Sequence, residues 1–217
     1  MKLLLLSLLA AGRISGTVAY AGPPVRAQKI VRTDARCKRP LIDPTVTSSK
    51  SGKALANVLV RVTAGLRPVA EAPTEPIVIE QKDCMYEPRV QGAVKGQRVV
   101  VRNADGTMHN VHAFVGLDDK KTLFNVAQPS GAADFERDVR DVLGPVRFTC
   151  DLHAWMRAYV VFSEHAAFAV SDAEGKWSLE LPAGTYTLEA WHEKLGTKSA
   201  EVKVEEGKTV DVAFTFR

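Results

Sequence analysis

Residues 150–156 read CDLHAWM, a thiol, an imidazole and a thioether at the spacing C-x2-H-x2-M. All three side chains are soft or borderline metal ligands. The preceding PVRFTC reads as a strand that ends at Cys150, and RAYVVF reads as the next strand, so these residues form the loop between them. Loops at one end of a sandwich can converge ligands without disturbing the core. A tight loop with Cys150, His153 and Met156 each three apart can aim all three at one point. The competing readings are a buried inert thiol, a surface histidine and a gap-filling methionine.

A further ligand has to come from elsewhere. The stretch VVVRNADGTMHNVHAF supplies His109 and His112 just after a strong turn signal, Asn-Ala-Asp-Gly. In an extended segment these two residues face opposite ways, so one of them reaches the loop. Two histidines, a thiolate and a weak axial methionine form the trigonal copper site of electron carriers. Zinc does not ask for the methionine, since it takes Cys, His and carboxylates. His165 and His192 have no comparable partners and read as ordinary polar positions. Hydrolase chemistry is not supported. There is no G-x-S-x-G, and Cys150 and His153 sit on one loop instead of meeting across a cleft. No nucleotide-binding glycine loop is present either.

The redox compartment bears on the thiol. Met1-Lys2 followed by the apolar run from Leu3 to Ala11 reads as an export leader, too short to span a bilayer. The leader is read as residues 1–21, because Ala19-Tyr20-Ala21 is the better A-x-A match, with a cut after Gly12 as the alternative. The protein is then periplasmic or secreted. Three cysteines is an odd count for that compartment. Cys37 and Cys84 lie in polar, turn-rich surroundings and are predicted to form a disulfide, leaving Cys150 as the thiol that a metal would occupy. A net charge of +4 over 217 residues, with no basic cluster, argues against nucleic acid or an anionic membrane as partner.

The elements that must position these residues are strands. EVKV and TVDVAFTF alternate with period two and turn Val202, Val204, Val210, Val212, Phe214 and Phe216 inward. QRVVVRN and AYVVF are continuous apolar runs, as expected of strands buried on both faces. Turn signals recur at Asp105-Gly106, Gly144-Pro145, Glu174-Gly175 and Pro182-Ala183-Gly184, which predicts an all-β chain. The only helix-like candidate lies around residues 131–139. Two units are expected. Residues 76–163 hold the ligand cluster, and residues 164–217 begin a second, smaller β-sandwich. The second unit is short of strands. Residues 22–75, and RISGTVAYAG before them, are expected to supply the missing ones, so that the first unit is inserted into the second. Residues 23–53 read as a long loop tied down by Cys37.

With these residues in view, residues 78–163 resemble the cupredoxins, the amicyanins and plastocyanins in particular. NADGTMHNVHAF is similar to the cupredoxin turn that leads into H-N-V, and CDLHAWMRAYVVF is similar to the amicyanin ligand loop, with the same spacing and an apolar final strand. The resemblance implies a Greek-key sandwich holding one mononuclear copper. It implies His109 as the ligand before Asn110, with the Asn110 N–H on the sulfur of Cys150 and His112 as an outer-shell neighbour. The metal ligands are then His109, Cys150, His153 and Met156. The loop departs from amicyanin in lacking prolines beside its histidine, where Leu152 and Ala154 stand instead. GKWSLELPAGTYTLEAWHE is similar to the carboxypeptidase-regulatory-like, or transthyretin-like, sandwich, and the whole chain resembles exported plastocyanin-like or methylamine-utilisation-like proteins.

The leading expectation is an exported electron carrier of the type 1 copper class, not an enzyme. It would work as a monomer with a transient redox partner such as a cytochrome or a dehydrogenase. His153 is expected at the solvent edge, ringed by a docking patch of Leu152, Ala154 and Trp155. The other readings are a copper chaperone or storage protein, for which four Met and five His are few, and a non-redox exported binding module.

Overall fold

The computed structural model describes residues 11–23, 28–31, 34–37, 42–43, 45–46 and 53–217. Of the leader expected over residues 1–21, the first ten residues lie outside them. All regular structure among the described residues is β. In chain order the strands are β1 (Gly12–Tyr20), β2 (Leu59–Ala64), β3 (Ile77–Lys82), β4 (Met85–Glu87), β5 (Val90–Val94), β6 (Arg98–Asn103), β7 (His109–Val115) and β8 (Thr122–Gln128). They continue with β9 (Phe135–Asp138), β10 (Gly144–Thr149), β11 (Arg157–Ser163), β12 (Phe168–Val170), β13 (Lys176–Leu181), β14 (Gly184–His192), β15 (Gly196–Val204) and β16 (Thr209–Phe216). Among the described residues no helix is long and apolar enough to cross a membrane.

Four sheets make two sandwiches. One pairs the five-stranded sheet β5-β11-β10-β7-β8 with the four-stranded sheet β4-β3-β6-β9. Their inward residues include Ile79, Tyr86, Val101, Val111, Val146, Phe148, Val160 and Phe162, all at or below 1% exposure, and this core also contains Cys150 and Met156. The other sandwich pairs β12-β2-β14-β15 with β13-β1-β16. Here the alternation seen in the sequence is realised directly: Trp177, Leu179 and Leu181 face inward from β13, as do Val202, Val204, Phe214 and Phe216 from the last two strands. Val210 and Val212 are only partly buried. β1 is the middle strand of its sheet, running antiparallel to β13 and parallel to β16. A leader cut after Ala21 would remove that strand, whereas a cut near Gly12 keeps it.

The continuous apolar run of β11 has a specific cause. Ala158, Val160 and Phe162 face the first core. Tyr159 and Val161 point the other way and form a third cluster with Leu59, Val90 and Trp191, which joins the two sandwiches. Full burial of such side chains is worth about 1.5–3 kcal/mol each. Gly92 of β5 serves the same junction, because a Cβ there would lie 2.2 Å from the Phe168 ring. A buried ion pair closes it: Arg89 Nε and Nη2 donate to the Glu193 carboxylate at 2.6 and 2.8 Å.

The helix expected around residues 131–139 does not form. Gly131 takes a positive φ of 73° in a turn, and Phe135–Asp138 pairs antiparallel with β6. Phe135 packs on Phe124 at a centroid distance of 5.2 Å, so edge pairing beside an aromatic contact outweighs a helical bias too short to hold by itself.

Candidate metal centre

β10 ends at Thr149, and β11 resumes at Arg157. The loop between them closes by two successive turns, with His153 N–H donating to Cys150 O at 3.3 Å and Met156 N–H donating to His153 O at 2.8 Å. Each turn spans four residues, and the two share His153 as their corner with Cys150 and Met156 at the outer ends. All three are buried, at 1%, 2% and 0% exposure. His109 opens β7 on the same inward face as Val111 and Ala113 and is fully buried.

Three donor atoms meet here. His109 Nδ1 and His153 Nδ1 are 3.0 Å apart. Cys150 Sγ lies 3.9 Å from the first and 3.6 Å from the second. Metal bonds of about 2.0 Å to nitrogen and about 2.3 Å to sulfur, arranged trigonally, would place nitrogens about 3.5 Å apart and sulfur about 3.7 Å from each. The donor set therefore fits one metal ion held by two imidazoles and a thiolate. Met156 is buried in the same core, next in the chain to the loop it helps to close.

The outer nitrogen of each imidazole meets a carboxylate. His109 Nε2 is 2.9 Å from Asp105 Oδ2, and His153 Nε2 is 3.4 Å from Asp34 Oδ2. With Nε2–H donating outward, Nδ1 is left as the inward lone pair, which is the tautomer a metal needs. Burial pushes the His109 pKa down, against the opposing pull of Asp105. Burial pushes the Cys150 thiol up, while backbone N–H groups of Asn110, Leu152 and His153 work the other way. The Asn110 N–H reaches Cys150 Sγ at 3.5 Å. Hydrogen bonds from Arg36 hold the Asp34 carboxyl well below the usual range, so the group facing His153 is an anion.

A second network holds the ligand-bearing strands together. The Tyr86 hydroxyl donates to Asn110 O at 2.7 Å and lies 3.2 Å from Thr149 O, one residue from His109 and one from Cys150. Burial drives the Tyr86 pKa far up, so the group stays a donor. On the outer face, Asn110 Nδ2 and Asn125 Nδ2 both donate to Asp151 Oδ2 at 2.9 Å. His112 Nδ1 sits 3.0 Å from Asp151 Oδ1. His112 thus points away from the three donors and touches the ligand loop from outside.

Two expectations need correction. His153 is not at a solvent edge. It is 2% exposed because Asp34 lies over its Nε2 and the Trp155 ring packs on it at 5.2 Å. Trp155 is half-buried, with its indole N–H donated to Cys84 O at 2.9 Å, so of the expected patch only Leu152 and Ala154 stand exposed. His165 and His192 are buried at 8% and 1% instead of lying at ordinary polar positions. His192 Nδ1 accepts from the N–H groups of Lys194 and Leu195 in the β14–β15 turn.

The disulfide forms between Cys37 and Cys84, and Cys150 is the free cysteine. Asp34, Asp105 and Tyr86 are the site residues that motif reasoning missed. Asp105 stood in view inside the NADG turn, four residues before His109, while Asp34 carries no sequence signal beyond its closeness to Cys37.

No family model matches the chain, and no curated protein matches it. Solved structures do. Amicyanin from Paracoccus versutus superposes with a TM-score of 0.36 at 20% identity, over 48% of this chain and 97% of that one. A purple cupredoxin from Nitrosopumilus maritimus superposes with a TM-score of 0.34 at 24% identity, over 40% of this chain and 99% of that one.

Proposed function

We propose that this chain is an exported, non-enzymatic copper protein that carries single electrons between redox partners. His109, Cys150 and His153 would hold one copper ion, with the Met156 thioether as a further, weaker donor. The observation that carries this reading is the buried convergence of Cys150 Sγ and two imidazole Nδ1 atoms within 3.9 Å of one another. Bound copper supplies a one-electron couple. The protein's part is to keep the ligands in place in both oxidation states, which keeps reorganisation small. Asp105 and Asp34 orient the imidazoles, the Asn110 N–H stabilises the thiolate charge, and the core around Phe148 and Met156 excludes water.

Leu152 and Ala154 are the exposed apolar positions on the ligand loop and would meet a transient partner such as a cytochrome or a dehydrogenase. The second sandwich, read as carboxypeptidase-regulatory-like, would serve as a spacing or binding module. Export would leave a chain beginning near Gly12, since β1 is needed in its sheet, and the intact mass of the exported protein reads that cut. The main test is the visible and EPR spectrum of the Cu(II)-loaded chain. An intense thiolate-to-copper band that disappears in Cys150→Ser is expected. Full copper occupancy with no such band and no reversible potential would refute the reading.

A further inference from the structure

All four expected ligands are buried, so an electron entering or leaving the centre has to cross a covering residue. Three side chains supply that cover. Asp105 stands on His109 Nε2 at 2.9 Å, and Asp34 stands on His153 Nε2 at 3.4 Å. The Trp155 indole lies against the His153 ring, with centroids 5.2 Å apart and planes inclined by 52°. The two carboxylates are charged groups on saturated stems. The indole is a delocalised ring two positions along the chain from His153. It therefore joins a ligand imidazole by a ring contact and by a short covalent path.

Groups outside the ligand loop hold this ring in place. Its Nε1–H donates to Cys84 O at 2.9 Å. Asp83 and Cys84 take positive φ, 53° and 56°, a conformation that persists in L residues where the surroundings over-determine it. Here the Asp105 carboxylate accepts the N–H groups of both, at 2.8 and 2.9 Å, and the disulfide to Cys37 adds a covalent tie. Asp105 thus fixes the outer nitrogen of His109 and, through Cys84, the ring on His153. One side of Trp155 packs on the core. The rest of the ring reaches solvent beside Ala154, its exposed neighbour in the chain. The other approach to the centre is a cleft of about 500 Å3 bordered by Cys150, Phe114, Arg147 and Arg157. There the Arg147 guanidinium sits over the Phe114 ring at 4.9 Å, so a partner meets a cation before it meets a ligand.

We propose that Trp155 is the electronic outlet of the centre, coupling the buried His153 to a redox partner that lays an apolar face on Ala154 and the exposed edge of the indole. This rests on the copper reading above. One electron leaves the reduced centre, which is oxidised by that electron, and the partner's oxidised group takes it up. The indole is neither oxidised nor reduced on the way, and its N–H proton stays on the bond to Cys84 O. Tryptophan combines an apolar body with a polar handle, which is why it recurs at contact points of this kind. A small uncharged patch suits a transient encounter.

The test uses the full copper-loaded chain and tris(phenanthroline)cobalt(III), a one-electron oxidant with an apolar ligand shell. Trp155→Leu keeps an apolar side chain and removes the ring. It should slow oxidation of the reduced chain at least about tenfold while the visible band and the reduction potential stay as in the wild type. Trp155→Phe restores a ring and should recover most of the rate. Leu143→Gln alters a half-exposed leucine before the far end of β10 and should leave the rate unchanged. The docking face is read without copper. In the metal-free wild type, the redox-inert chromium(III) complex of the same ligand should broaden the NMR signals of the Trp155 indole N–H and the Ala154 amide. That measurement needs no variant, so it decides the docking face even where Trp155→Leu fails to fold. An unchanged rate in Trp155→Leu, a Trp155→Phe chain no faster than Trp155→Leu, equal slowing in Leu143→Gln, or broadening at Phe114 and Thr149 in place of Trp155 each overturns the proposal. A shifted band or potential in Trp155→Leu also overturns it, because the ring would then act by placing His153. A wild type with no thiolate-to-copper band and no reversible potential sinks the electron-carrier reading and the outlet with it. A wild type with both, and a Trp155→Leu chain equal to it in rate, sinks the outlet alone.

Discussion

Tyr86→Phe removes one oxygen atom and probes what holds the ligand strands in register. The hydroxyl is 2.7 Å from Asn110 O and 3.2 Å from Thr149 O, in a side chain 1% exposed. It also accepts from Gln81 Nε2 at 3.3 Å, and Gln81 is fully buried with its Oε1 already unpartnered. The lost donation is worth about 1 kcal/mol, and leaving the Gln81 amide without an acceptor adds about 1–3 kcal/mol. Urea unfolding of the metal-free chain should therefore show a loss of about 2–4 kcal/mol. The same change frees the main chain one residue from His109 and one from Cys150. The copper-loaded variant should then show a broadened or shifted visible band without losing metal stoichiometrically. A loss under about 0.5 kcal/mol with an unchanged spectrum would show that the hydroxyl network does not position the ligands.

Two further predictions concern the junction between the sandwiches. Glu193→Ala leaves Arg89 charged and buried without its carboxylate, and should cost about 3–5 kcal/mol in denaturant unfolding, whereas replacing both by Met and Leu should recover most of it. His192 is held neutral, its pKa pushed down to about 4 by burial and by Arg89 and Lys194. The unfolded chain takes up that proton near pH 6.5 and the folded chain not until about pH 4. Its contribution is therefore fully present above about pH 6.5 and falls by about 3 kcal/mol as pH drops to 4. His192→Asn keeps a side-chain acceptor for the turn and should flatten the pH dependence of urea stability by that amount. A wild-type minus variant difference that does not change with pH would remove His192 as its source.

What was legible in the sequence, and what was not, follows the range of the interactions involved. The loop was legible because its turns are local: C-x2-H-x2-M becomes two consecutive four-residue turns that share His153 and need no distant partner. The strands were legible because period-two alternation reports a face, as Val202, Val204, Phe214 and Phe216 show. A continuous apolar run says that both faces are buried but not by what, so the junction at Tyr159 and Trp191 could not be placed. The exposure of His153 was misread for the same reason. An imidazole on a loop looks solvent-facing until a segment some 119 positions earlier is laid over it, and nothing in the residues around Asp34 encodes that contact. Only the pairing of Cys37 with Cys84 pointed there, and it was inferred from compartment chemistry, not from geometry. That inference carried more than a covalent link. Closing Cys37 onto Cys84 fixes residues 34–37 beside the turn that holds Cys84, and this brings Asp34 over His153 as Asp105 already stands over His109. The disulfide is one of two ties on that cover, because the Thr107 hydroxyl also donates to Asp34 Oδ2 at 3.0 Å and holds the carboxylate beside His153 from the opposite strand connection.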